Sequence, residues 1–144
     1  CGGLGHWEAL AAGANLPRYF KAYLEALGVR PPDVRSAEEV FRLYREGDKA
    51  ARLFVDHWLD VNAAGIATLA AAYDPEVLVV GGSVALHNWD VFVGVADRLK
   101  KYIAVTPPAI ERAKFGDDEV AIGAAALAVR PPESLKRFGY PRGR

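Results

Sequence analysis

Four consecutive apolar residues, Val77 to Val80, lie between an Asp74-Pro75 break and a glycine pair, and this arrangement constrains the fold most. A short valine-rich run of this kind is typical of a parallel strand that is covered on both faces. Proline ends the helix before it, and Gly81-Gly82-Ser83 forms the turn after it. The pattern therefore predicts an α/β fold with a buried strand over residues 76–80.

Most of the remaining sequence predicts helices. Apolar residues recur at helical spacing, Ser36 and Asp48 are suitable N-caps, and Gly116-Asp117-Asp118 precedes an Ala-rich run. Helices are predicted over residues 6–13, 16–27, 36–46, 49–73, 89–103 (capped by Asn88) and 119–129. Beyond Asp60 the longest helix is apolar nearly all round, which predicts burial of its second half.

A second short strand is predicted over residues 109–115. Two strands are too few for an independent sheet, because their edges would be left unpaired. The fold is therefore expected to be helix-rich, with few strands, and incomplete without an N-terminal part of the same protein that supplies the others.

Composition limits the partners and the location of the chain. Lys and Arg number 18, as do Asp and Glu, so a nucleic-acid or anionic-membrane surface is not expected. The longest charge-free runs have 13 residues, short of the roughly 20 that a membrane-spanning helix needs.

The single cysteine, Cys1, excludes a disulfide framework and is typical of a reducing, cytoplasmic setting. The absence of methionine indicates a chain that begins within a longer protein, and the absence of glutamine favours a thermophilic source.

The first eight residues contain the candidate metal ligands. Cys1 and His6 both suit zinc, but a zinc site needs about four such ligands, and His57 and His87 lie far along the chain. An incidental small residue at Cys1 and a helix-start residue at His6 therefore stay open as alternatives. His6-Trp7-Glu8 also matches half of the zinc deaminase pattern, which a chain with one cysteine cannot complete.

Three segments together resemble the ROK family of sugar kinases and repressors. Residues 1–8, CGGLGHWE, resemble the end of its CxCGxxGCxE signature, with His6 in the place of the last cysteine. Residues 74–84, DPEVLVVGGSV, are similar to its DPE-hydrophobic-GGGV segment, with Ser83 replacing the third glycine. Residues 115–126 resemble its closing GDD…GAA segment. The segments occur in the family's order and cover nearly the whole chain.

The resemblance implies an architecture. Residues 1–130 would be the C-terminal lobe of an actin-like, ribonuclease-H-like ATPase fold, which binds a sugar and a nucleotide between two lobes. Within it, residues 1–8 would be a glycine-rich zinc and sugar loop, and residues 74–84 would be the adenosine segment. Residues 131–144 would be a basic tail rich in Pro and Gly.

The resemblance also implies roles for individual residues. Glu8 would hydrogen-bond a sugar hydroxyl, although a glutamate at this place also suits a helix N-terminus. Gly81, Gly82 and Ser83 would contact the adenosine part of ATP, and the same glycines suit a tight strand-to-helix turn. Gly65 would line the nucleotide pocket, or it allows close helix packing.

Other residues near these motifs carry weaker signals. Cys1 and His6 would be ligands of a structural zinc ion whose other ligands precede residue 1. Asp117 and Asp118 are interpreted as helix N-caps rather than a magnesium site. His57 is interpreted as solvated or interfacial, and His87 is close enough to the glycine turn to be a candidate ligand contact.

The resemblance therefore implies a glucokinase-like hexose kinase of the ROK family that uses ATP with Mg²⁺, with glucose as the first expected sugar. The family's catalytic aspartate belongs to the N-terminal half, so residues 1–144 alone are predicted to be inactive. The alternative is a sugar-sensing ROK repressor, whose DNA-binding helices would also precede residue 1. A packing module without ligands is the third possibility. A homodimer is expected within the family.

Overall fold

The computed structural model describes residues 4–133, and within them helices predominate. In chain order the elements are α1 (Trp7–Ala11), α2 (Leu16–Ala26), α3 (Ala37–Glu46), α4 (Lys49–Tyr73), β1 (Val77–Val80), α5 (Ser83–His87), α6 (Trp89–Phe92), α7 (Val95–Leu99), β2 (Ala109–Arg112), a 3-10 helix (Gly116–Asp118) and α8 (Glu119–Val129). The two strands pair in parallel, with Val77 opposite Ala109 and Val80 opposite Arg112. The chain is therefore α/β, as its sequence predicts.

The longest helix, α4, has the predicted boundaries. The Asp48 side chain accepts a hydrogen bond from the Ala51 amide at 2.8 Å and caps the N-terminus. At the other end, the backbone of Asp74 has a φ of 45°, which residues other than glycine rarely adopt, and Pro75 cannot continue the helix. The predicted cap of α3 is also confirmed, because the Ser36 hydroxyl accepts from the third residue of that helix.

An aromatic core lies between α2, α3 and α4. Phe20 and Phe54 meet edge to face with ring centroids 5.1 Å apart, and Phe41 meets Trp58 in the same way at 5.3 Å. Trp58 also contacts Phe92 of α6 at 5.8 Å. Each such ring contributes about 2 kcal/mol or more through its burial. Because α1 and one face of β1 pack against this core, it fixes their position relative to α4.

The predictions of full burial are wrong for the described residues. Leu78 and Val80 pack against the core, whereas Val77 and Val79 on the other face of β1 are 46% and 60% exposed. The second half of α4 is also covered on one side only, and Tyr73 is 78% exposed. An apolar sequence shows what a segment can bury, but the covering elements must also be present.

The predicted helix over residues 89–103 is also wrong, because α6 and α7 are separate short helices and α5 precedes them. The Asn88 side chain makes no capping bond to α6. Its amide instead donates to the Val84 carbonyl at 2.9 Å and its oxygen accepts from Arg45 at 2.9 Å. The bond to Val84 is local, but the bond from Arg45 joins α3 to Asn88 across 43 positions, and the local pattern does not reveal it.

The second strand differs in extent from the prediction. β2 ends at Arg112 rather than at residue 115. Residues 134–144, most of the expected tail, lie outside the described residues, so that expectation stays a prediction. Between residues 4 and 133, no helix combines the length and the apolar character that crossing a membrane requires.

Candidate functional site

The turn after β1 is built from glycines and leads directly into α5. Gly82 has a φ of 86°, a conformation that favours glycine, and its amide donates a hydrogen bond to Glu119 Oε1 at 3.0 Å. A Cβ at Gly81 would lie 2.5 Å from Cδ of Glu119, so the carboxylate occupies the space that a side chain would need. Ser83 is the first residue of α5. The turn is therefore covered by Glu119 at Gly81, whereas at Gly82 an added Cβ would meet nothing within 4 Å.

Glu8 lies in the first turn of α1 and is exposed. The neighbouring residue Trp7 packs its indole on α4 at Gly65, where an added Cβ would lie 2.6 Å from ring atom Cδ2 and 2.7 Å from Cζ2. The missing side chain at Gly65 thus allows α1 to lie against α4. Sequence reasoning assigned no role to Trp7, although a glycine within an Ala-rich helix was a signal for such a contact.

Glu8 and the glycine turn line the same cavity, which has a volume of about 590 Å³. Gly81, Gly82 and Ser83 lie on its β1–α5 side, and apolar side chains from α4, β1 and α6 complete much of the lining. The volume is in the range of small-molecule sites, which combine apolar walls with a few polar groups. Gly65 is not among the lining residues. The structure thus brings four of the five predicted sugar and nucleotide residues to one place.

The two sides of this cavity also contact each other. Gly13, which follows α1, lies so close to the start of α5 that an added Cβ would be 2.6 Å from Cγ2 of Val84. Both residues line the cavity. The segment after α1 and the segment after the glycine turn are therefore packed together directly.

His87 and Asp117 form a polar contact beside the glycine turn, with Nε2 and Oδ2 3.1 Å apart and both side chains exposed. The predicted capping role is wrong for both aspartates. Asp117 pairs with His87, and Asp118, at the N-cap position of α8, makes no side-chain capping bond. The reason is that residues 116–118 form a turn of 3-10 helix before α8 begins. His87 lines a second cavity, which shares Gly13, Ser83 and Val84 with the first.

The candidate zinc ligands can be compared with the structure only in part. Cys1 lies outside the described residues, and His6 is exposed at the N-cap position of α1. Among residues 4–133, no three side chains of His, Cys, Asp or Glu are grouped as a metal site. A structural zinc ion needs four protein ligands, so the donors in this part of the chain do not by themselves fit one.

His57 lies outside this cavity, and of its two interpretations, solvated or interfacial, the structure favours the second, because the half-buried ring lies between α4 and α2. Its ring stacks on Tyr23 with centroids 4.2 Å apart, and its Nε2 lies 2.6 Å from the Tyr19 hydroxyl. Burial lowers the pKa of His57, and the carboxylates of Asp60 and Asp56 act in the opposite direction. Burial also raises the pKa of Tyr19. The pair is therefore a neutral packing contact between α2 and α4.

Known proteins resemble this chain along nearly all of its length. The profile of the ROK family matches residues 1–130. A glucokinase from Pyrobaculum calidifontis is 56% identical over 144 residues, which are 99% of this chain and 46% of that protein. The crystal structure of a ROK hexokinase from Thermus thermophilus matches with a TM-score of 0.66 and 35% identity, over 90% of this chain and 43% of that one. A ROK family glucokinase from Streptomyces griseus, in complex with glucose and AMPPNP, matches with a TM-score of 0.62 and 26% identity, over 88% and 45% of the two chains.

The chain thus spans about half the length of each of these three proteins. The two structural matches confirm the expected fold class, a helix-rich part of a larger α/β sugar-kinase fold. None of the three relatives is described as a repressor, so the repressor alternative is not favoured. With the family profile matched over residues 1–130, the chain belongs to the ROK family.

Proposed function

We propose that this chain is the C-terminal lobe of an ATP-dependent hexose kinase, which transfers the γ-phosphoryl group of ATP to a sugar hydroxyl. The observation that carries the proposal is the cavity lined by both Glu8 and the glycine turn. The glucokinase at 56% identity supports the same activity, as does the ROK glucokinase that holds glucose and AMPPNP. Glucose is therefore the first sugar to test.

Glu8 would bind the sugar. An ionised carboxylate has only acceptor oxygens, so it accepts hydrogen bonds from two hydroxyls at once and orients the ring. Glu8 is exposed at the cavity and no capping bond involves its side chain. The alternative, a purely helix-stabilising role, has little physical basis because α1 has only five residues and a correspondingly small dipole.

The glycine turn would contact the adenosine part of ATP. Gly82 carries no Cβ and nothing lies within 4 Å of the place where one would be, so a ligand can approach its backbone closely. The apolar walls beside the turn, which include Trp58 and Phe92, suit a flat base. Ser83 adds a hydroxyl where the family segment has a glycine, and this narrows the space. Mg²⁺ would neutralise charge on the phosphates in the whole enzyme, and residues 4–133 contain no group of three or more His, Cys, Asp or Glu side chains that could hold a metal ion.

The base for the reaction would come from outside this chain. In the transfer, the sugar oxygen bonds to the γ-phosphorus, the bond to the β,γ-bridging oxygen breaks, ADP leaves, and the base takes the hydroxyl proton. We expect the whole protein to release ADP in a coupled assay with ATP and glucose, and residues 1–144 alone to release none. Sugar-dependent ADP release by the 144-residue chain would show that the base lies here. A whole protein that releases no ADP with any hexose would refute the kinase assignment.

Cys1 and His6 would supply two ligands of a structural zinc ion, with the others contributed upstream of residue 1. Their place beside Glu8 supports a role in holding the sugar-binding loop. Metal analysis of the whole protein is expected to give about one zinc per chain, and Cys1→Ser is expected to lose it and to weaken glucose binding. Whole protein purified without chelator and free of zinc would contradict this.

Two expectations concern the protein in its surroundings. The single cysteine supports a reducing, cytoplasmic location. The whole protein is proposed to form a homodimer, and light scattering would show twice the mass of one chain. A monomer at micromolar concentration would overturn that expectation.

A further inference from the structure

We propose that Glu119 is a positioning residue, whose carboxylate holds the turn of Gly81 and Gly82 in the shape that binds the nucleotide. This inference rests on the proposed kinase function. Glu119 is the first residue of α8 and is 37 positions away from the Gly82 amide in sequence. None of the roles considered above includes it.

The geometry fixes the turn from two directions. The Gly82 amide donates to Glu119 Oε1 at 3.0 Å, and a hydrogen bond to a charged carboxylate is about twice as strong as one between neutral groups. The carboxylate also lies against Gly81, where an added Cβ would be 2.8 Å from Oε2. Glu119 does not line the cavity, whereas both glycines do. The carboxylate therefore supports the turn from behind and leaves its cavity face open to a ligand.

The pairing of β1 with β2 brings the glycine turn and the start of α8 near each other, and a few side-chain bonds complete the contact. Within residues 4–133, α8 buries none of its side chains, so apolar packing does not fix its start. The Arg112 guanidinium donates to the Leu86 carbonyl at 3.0 Å, and Asp117 pairs with His87. Both of these bonds reach α5, and the Ala113 amide donates to the Val80 carbonyl at 2.9 Å, directly before the turn. Of these four bonds, only that of Glu119 reaches Gly82 itself. A change at Glu119 is therefore expected to alter the turn itself.

The test uses the whole protein and measures KM for ATP, KM for glucose and kcat separately. Glu119→Ala removes the acceptor, and Glu119→Asp keeps the charge but is one methylene too short to reach the amide. Both are expected to raise KM for ATP about tenfold, the effect of one lost hydrogen bond to a charged group, with KM for glucose and kcat changed by less than about twofold. Glu119→Gln keeps an oxygen at the same place and is expected to restore much of the affinity. Glu111→Ala, which removes the same charge from an exposed site on β2, is the matched control.

Failure of the Glu119 role and failure of the kinase proposal give different results. An unchanged KM for ATP in the Ala and Asp variants would overturn the inference, as would an equal rise in KM for glucose or failure of Gln to rescue. If the Ala variant does not fold, the Asp and Gln variants decide the question. If the unaltered protein phosphorylates no hexose, the kinase proposal fails, and ATP binding by calorimetry to the same variants still tests the role of Glu119.

Discussion

Replacing Gly65 by alanine tests how α1 is held on α4. The new Cβ would lie 2.6 Å from Trp7 Cδ2 and 2.7 Å from Cζ2, whereas carbon atoms normally pack at about 3.5–4.0 Å. The indole must therefore move by about 1 Å. Overpacking of this kind costs about 1–3 kcal/mol. Alanine recovers about 1 kcal/mol as the better helix former. We expect a net loss of about 1 kcal/mol in the free energy of unfolding.

The same substitution has a functional consequence, because Trp7 is adjacent to Glu8. A displaced indole moves α1, so we expect KM for the sugar to rise about threefold to tenfold, the effect of a partly weakened carboxylate contact. KM for ATP should stay the same. If Gly65 instead lines the nucleotide pocket, KM for ATP should rise and KM for the sugar should not. Steady-state kinetics of the whole protein distinguish the two.

A matched control is available in α8. Gly123 is also a helical glycine, but nothing in the described structure lies within 4 Å of the position its Cβ would take. Gly123→Ala is expected to stabilise the protein by about 0.5–1 kcal/mol in urea unfolding. If Gly65→Ala stabilised the protein as much as Gly123→Ala does, the packing argument would be refuted.

Three further predictions concern the cavity and the α2–α4 contact. Glu8→Ala is expected to lower kcat/KM for the sugar about 10- to 100-fold, because hydrogen bonds to a charged group are lost. KM for ATP should stay constant, and equal losses for both substrates would argue against a sugar contact. Gly82→Ala is expected to raise KM for ATP and to cost about 1–2 kcal/mol of stability. The cost comes from backbone strain at a φ of 86° alone, because the new Cβ would meet nothing within 4 Å. Unfolding and kinetics that match the unaltered protein would contradict this. Because burial lowers the pKa of His57, the unfolded chain binds more protons below about pH 6.5, so stability should fall as the pH drops through this range. The His57→Phe variant should show a smaller fall in urea titrations between pH 7 and pH 5, and parallel curves for the two proteins would count against the burial of His57.

Local signals account for the parts of the fold that sequence reasoning predicted well. Ser36 and Asp48 each cap a helix through an amide three residues further along the chain. The end of α4 likewise depends on two adjacent residues, Asp74 and Pro75. The short helix α5 was missed because five residues carry too little periodicity to be read. The prediction of full burial for β1 and the second half of α4 failed because burial depends on neighbours as well as on sequence.

The candidate site shows the same division. The resemblance to the ROK family selected Glu8 and the glycine turn, but their shared cavity joins positions more than 70 residues apart and required the fold. The bond between Glu119 and Gly82 and the pair of His87 with Asp117 have no local pattern at all. Contacts of this kind depend on how β2 returns beside β1, which neither spacing nor composition specifies.

The close contact of Gly13 with Val84 bears on how the proposed kinase would exclude water from its cavity. It joins the wall that carries Glu8 to the wall that carries the glycine turn, so we expect the two walls to move together. Water must be expelled before phosphoryl transfer, and a hinge motion usually does this. We therefore expect the closing movement to come from a part of the protein outside residues 4–133, which would move relative to these two cavity walls.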